Sequence, residues 1–194
     1  SSAASDVYKR QAFYRSAVLL SRNDVGFSTE QFSAPLADFH AANQQRLQTF
    51  PDNLLATATH DHKRGEDTRA RLAVLSECAP WYVEQVEHWR RLAAPLRDDA
   101  HSPSAGDELI LYQVLLGSWP LDSNPDMQGY QQRLWQWQQK ALREAKLQSS
   151  WSAPNEAYEQ AVDAFLSRLL LSDAGTPLRK AIGSACLLYT SDAA

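Results

Sequence analysis

Residues 57–67 read TATHDHKRGED, a small β-prone run that stops on His60-Asp61-His62 and then on a burst of charge. The run begins earlier, at Asn53, directly after the turn formers Pro51-Asp52, so 53–59 is a short apolar and β-branched stretch bounded by turn signals. That pattern predicts a buried strand over 54–59 with His60 and Asp61 at its C-terminal end. Three readings compete for the cluster that follows: a metal site, a solvated charge cluster, or the rim of a catalytic pocket.

Upstream, Ser33-Ala34-Pro35 opens a helix by N-cap and early-proline signals, carried by Leu36, Phe39, Leu47 and Phe50. Downstream, the chain turns to helix after helix. Glu66–Glu77 has acids in its first turn and Leu72 and Leu75 on one face. Pro80 opens a helix that Pro95 ends, and the polar loop 97–107 leads to another over Glu108–Trp119. Tyr130, Leu134, Trp137 and Ala141 mark a long helix, and Tyr158, Val162, Phe165 and Leu169 mark one more. The class expected is mainly α.

The two ends read differently. Residues 1–11 (SSAASDVYKRQ) and 186–194 (CLLYTSDAA) read as translations of the two strands of one sequencing-library adapter. They are set aside from fold reasoning and expected to make few side-chain contacts, Val7, Tyr8 and Leu188 included. Between them only Cys78 remains of the two cysteines, so no internal disulfide is expected and a reducing, cytoplasmic setting is the default. A net charge of −4 is not a nucleic-acid binder's balance. No apolar run approaches the roughly 20 residues of a bilayer span, so no membrane is expected as a partner either.

His60 and His62 stand two apart, but His40, His88 and His101 have no ligand spacing to them, so no metal is expected. Alternating charges at the start of an amphipathic helix account for Glu66, Asp67, Arg69 and Arg71. They do not account for His60-Asp61. A His-Asp pair at the mouth of a buried strand, with Lys63 and Arg64 in the next loop, is what a barrel strand delivers to its C-terminal face. Many functions share such folds, so the pattern alone leaves the three readings open.

The segment THDHKRGEDTRARLAVLSE (59–77) resembles the signature of the maltooligosyltrehalose synthases, a family of the alpha-amylase superfamily. FYRSAVLLSRNDVG (13–26), Phe39-His40, LYQVLLGSWPLD (111–122), KALREAK (140–146) and SSWSAPNEAYE (149–159) resemble further blocks of that family. His62 stands where the commonest form has Thr, Asp24 stands for Glu, and Phe27 for a Gly. The resemblance implies a fragment of a (β/α)8 TIM-type barrel, with one late strand near 54–59, followed by an inserted helical subdomain. The divisions expected are 12–65 for the partial catalytic barrel and 66–185 for the helical subdomain, with 1–11 and 186–194 adapter-derived.

The resemblance further implies an intramolecular transglycosylation, without cofactor, that turns the reducing-end α-1,4 linkage of a maltooligosaccharide into an α,α-1,1 linkage. Asp61 would be the carboxylate that stabilises the transition state, and His60 would hydrogen-bond the sugar beside the cleaved bond. The nucleophile and the acid/base would lie outside this chain, leaving it inactive alone. A trehalohydrolase acting on the product is the implied functional partner. Lys63 and Arg64 are candidates for holding the reducing-end glucose, against the alternative of ion pairing with Glu66 and Asp67. Trp151 offers an apolar face for a sugar ring, against the alternative of a helix-packing anchor. Another superfamily hydrolase or branching enzyme, or a non-catalytic helical binding module, are the competing functions.

Overall fold

A computed structural model describes residues 11–28, 31–99 and 101–191, with side chains placed up to Leu187. Among them the regular structure is helical: α1 (Leu36–Thr49), α2 (Glu66–Ala73), α3 (Ala79–Ala93), α4 (Ala105–Ser118), α5 (Met127–Ala145), α6 (Glu156–Leu171) and α7 (Thr176–Ser191). Residues 11–15 are also helical, and short 3-10 turns at Leu20–Arg22, Val74–Ser76, Ala94–Leu96 and Asp173–Gly175 join the longer elements.

Local chemistry starts these helices where it does. Ser104 Oγ accepts from Asp107 N, Asp126 Oδ1 from Gly129 N and Asn155 Oδ1 from Tyr158 N, each satisfying an amide that the first turn leaves open. Lys146 closes α5 in the left-handed region at φ 53°.

Helix α4 is the centre of the molecule. Its ILYQVLLG run is apolar nearly all round, and Leu111, Tyr112, Gln113 and Leu115 are fully buried. Around it α3 brings Trp89, α6 brings Phe165, Leu166 and Leu169, and α7 brings Leu178 and Ile182 into one core. Trp89 meets Tyr112 edge-on, with ring centroids 5.4 Å apart. Helix α5 packs along α6, where Arg143 holds the buried Glu159.

The segment before α1 is stitched to this centre by Gln113, which accepts from Leu20 N at 2.8 Å and donates to Ala17 O at 2.7 Å. Helix α2 lies against α4 at Gly117. A Cβ there would fall 2.7 Å from Thr68 Cγ2, so only glycine permits the approach, and Thr68 Oγ1 donates to Gly117 O. The loop before α2 is thereby held against the helical body.

Two expectations are corrected. Residues 54–59 form no strand: they lack a ladder partner among the described residues, and Leu54 is 95% exposed. The segment before α1 exposes Val18 but buries Leu19 and Leu20. Of the terminal stretches, Val7, Tyr8 and the side chain of Leu188 lie outside the described residues. Cys186, expected to make few contacts, is buried in the core with Sγ on Leu116 O, because α7 continues its apolar face through it.

Candidate functional site

Thr59 to His62 form a tight turn that closes on itself. The His62 amide donates to Thr59 O at 3.1 Å, while His62 Nδ1 accepts from Thr59 N at 2.9 Å. Accepting at Nδ1 places the ring proton of neutral His62 on Nε2. His60 and Asp61 occupy the tip rather than the end of a strand, with His60 Nε2 3.5 Å from Asp61 Oδ2 and both side chains largely exposed. The imidazole at position 62 has a structural task, closing the turn.

The next two residues are anchored from behind by a carboxylate that the sequence reading had left without a role. Asp24 is fully buried. Its Oδ1 accepts from Lys63 N at 2.9 Å and from Val25 N at 2.8 Å, and its Oδ2 accepts from Arg64 N at 3.1 Å. Asn23 steadies the same corner by donating to Phe13 O and Ser16 O. The backbone of the Lys63-Arg64 loop is thus fixed to the 13–25 segment, some forty residues earlier in the chain.

The side chains of these two residues do not take the ion pairs weighed for them. Lys63 Nζ donates to Asp61 O at 3.0 Å, and Arg64 Nη1 to Asn23 O at 3.4 Å. Among the described residues neither bridges to Glu66 or Asp67; Glu66 instead accepts from Thr57 Oγ1. Burial pushes the Arg64 guanidinium below its ordinary pKa, with Asp24 and Tyr14 pulling it back up. A cation held half out of water in this way keeps donors available for a polar ligand.

His60, Asp61, Lys63 and Arg64 line one cavity of about 360 Å³. Phe13 and Tyr14 form part of its wall, and α5 adds Trp137 and Lys140 from the helical half. Trp137, one of the residues whose spacing marked this helix, also packs on the core. Among the described residues Asp61 is the only carboxylate lining the cavity. Trp151 is elsewhere: its Nε1 donates to Glu144 and Arg143 lies 5.0 Å from its ring centre, so it joins no candidate site residue. No group of three side chains suited to a metal ion occurs among the described residues.

Comparison with known proteins is consistent across sequence and structure. A protein of Mycobacterium tuberculosis strain H37Rv described as "Putative maltooligosyl trehalose synthase" is 36% identical over 158 residues, 81% of this chain and 20% of its own length. A solved structure from Sulfolobus tokodaii, described as a hypothetical maltooligosyl trehalose synthase, superposes with a TM-score of 0.77 at 27% identity, covering 92% of this chain and 24% of its own. The chain is homologous to a segment of the maltooligosyl trehalose synthases. The maltooligosyltrehalose synthase of Arthrobacter ramosus aligns similarly, with a TM-score of 0.69 at 28% identity over 92% of this chain and 22% of its own. No protein-family model matches. The chain spans about a fifth of the length of the curated synthases it matches. Two residues of the candidate site, Asp24 behind the turn and Trp137 in the cavity wall, carried no local signal: one acts on distant backbone amides, the other repeats at helix-core spacing.

Proposed function

We propose that the protein to which this segment belongs isomerises the reducing end of maltooligosaccharides, converting the terminal α-1,4 linkage into the α,α-1,1 linkage of trehalose. The observation that supports this most is the anchored turn, which presents Asp61, His60, Lys63 and Arg64 to one polar cavity. In such a retaining reaction one carboxylate attacks the anomeric carbon while a second group protonates the leaving oxygen. Asp61 is the carboxylate whose charge and hydrogen bonds favour the oxocarbenium-like state, and His60 donates to the sugar beside the cleaved bond. Lys63 and Arg64 hold the released glucose by its hydroxyls.

A cavity with one carboxylate does not by itself make a retaining site, which uses a pair about 5–5.5 Å apart. The nucleophile and the acid/base therefore come from outside these residues, on barrel strands that precede them in the complete enzyme. The partial barrel over 12–65 and the helical subdomain over 66–185 belong to the same proposal. So do a cytoplasmic setting and a trehalohydrolase that removes trehalose from the modified end. The test is to incubate the full-length protein with maltopentaose. Reducing ends should disappear while the pentasaccharide keeps its length. Shortening of the chain with conserved or increased reducing ends would instead identify a hydrolase.

A further inference from the structure

We infer that Trp137 and Lys140 of α5 form the wall that retains the released glucose, and so determine how much of the covalent intermediate is isomerised rather than hydrolysed. This rests on the reading above. The two residues stand three apart on one helix and therefore share a face. That face lines the same cavity as Lys63 and Arg64. The helix behind it is held rigidly, with Tyr130, Leu134, Ala141 and Leu142 buried.

The two side chains suit different parts of a pyranose. Trp137 is half-buried and packed on the main core, so its indole is a fixed apolar surface for the C–H face of a sugar. Lys140 is exposed and makes no hydrogen bond or ion pair among the described residues, whereas the Lys63 ammonium and the Arg64 guanidinium both already donate to backbone carbonyls. Its ammonium has three protons to give to sugar hydroxyls. A cavity of about 360 Å³ lies at the small end of ligand sites, which run roughly 300–1,000 Å³. It fits a monosaccharide, the size of the group that must be kept.

Retention matters because two acceptors compete for one intermediate. After the α-1,4 bond breaks, C1 of the remaining glycosyl chain is bonded to the nucleophile's carboxylate oxygen. In isomerisation O1 of the held glucose bonds to C1, the C1–carboxylate bond breaks with its electron pair returning to the carboxylate, and the O1 proton passes to the general base. If water takes that place, the products are free glucose and a maltooligosaccharide one unit shorter. Glucose that leaves the cavity before turning over is replaced by water.

The experiment compares full-length wild type, Lys140→Met and Trp137→Ala with maltopentaose, measuring free glucose plus maltotetraose against the non-reducing pentasaccharide. The ratio of hydrolysis to isomerisation should rise by roughly tenfold in each variant, the size of one lost pocket contact. Should Trp137→Ala fail to fold, Lys140→Met decides, since its side chain is exposed. An unchanged ratio in folded variants of an enzyme that still isomerises overturns this inference and leaves the function standing. A wild type that forms no non-reducing product overturns both.

Discussion

A single buried carboxylate decides where the Thr59–Arg64 turn sits. Asp24 satisfies the amides of Val25, Lys63 and Arg64, two of them reached across about forty residues of chain. Asp24→Ala would leave three donors at a buried position without an acceptor, and each such group costs about 1–3 kcal/mol before relaxation lets water in. The expected loss is roughly 3 kcal/mol in denaturant unfolding of the chain, with Asp24→Asn intermediate because its one carbonyl oxygen still accepts. An Asp24→Ala chain as stable as wild type would show that the loop is held some other way. At this scale the candidate site was only partly legible. THDHKR announced His60, Asp61, Lys63 and Arg64 through an unusual local run. Nothing near Asp24 announced its role, since its partners are backbone amides, which every residue has. Trp151, weighed as a sugar platform against a helix-packing anchor, is exposed beside Arg143 and Glu144 and does not line the cavity of the other candidate residues.

The helices were legible because their apolar periodicity and their caps are written in neighbouring residues. The strand was not, because β propensity in 54–59 needs a partner and none lies among the described residues. Two contacts test how the helices hold together. At the α2–α4 crossing, Gly117→Ala gains up to about 1 kcal/mol of helix propensity. It also drives a Cβ to 2.7 Å from Thr68 Cγ2, on a β-branched side chain that its own hydrogen bond to Gly117 O keeps from swinging away. Overpacking of this kind costs about 1–3 kcal/mol, so the variant should be net destabilised, read as a lower denaturation midpoint. At the α5–α6 contact, the Arg143 hydrogen bonds, then those from Ser149 and Gln139, hold the Glu159 carboxyl down to about 2 from an ordinary 4.5. The folded state thus binds this proton less readily than the unfolded chain. The stabilisation is complete above about pH 4.5 and disappears as pH falls towards 2. Glu159→Gln should be less stable at neutral pH by about 2–3 kcal/mol, since it leaves Arg143 facing a neutral amide. Its unfolding should also vary less with pH across that window.

Among the described residues the molecule is a helical body to which the Thr59–Arg64 turn is fastened through Asp24. Helix α1 has no buried residue, and Leu36, Phe39 and Leu47 on it are exposed, as are Phe50, Leu54 and Leu55. The aligned residues span 20% of the length of the synthases it matches. With Asp61 as the sole carboxylate of the cavity among the described residues, the 194-residue chain should neither isomerise nor hydrolyse maltopentaose. Free glucose or trehalose-ended product from the purified chain would contradict this. The account's central claim is that Asp61, held at the tip of the anchored turn, stabilises the transition state of the synthase reaction. The most direct measurement is the turnover of maltopentaose by full-length Asp61→Asn, which keeps the shape of the side chain and removes its charge. Loss of one such electrostatic element costs about 10²–10³ in kcat, and KM should change far less because the interaction strengthens only at the transition state. Near-normal kcat in Asp61→Asn, with activity abolished instead by Glu66→Gln, would contradict the account.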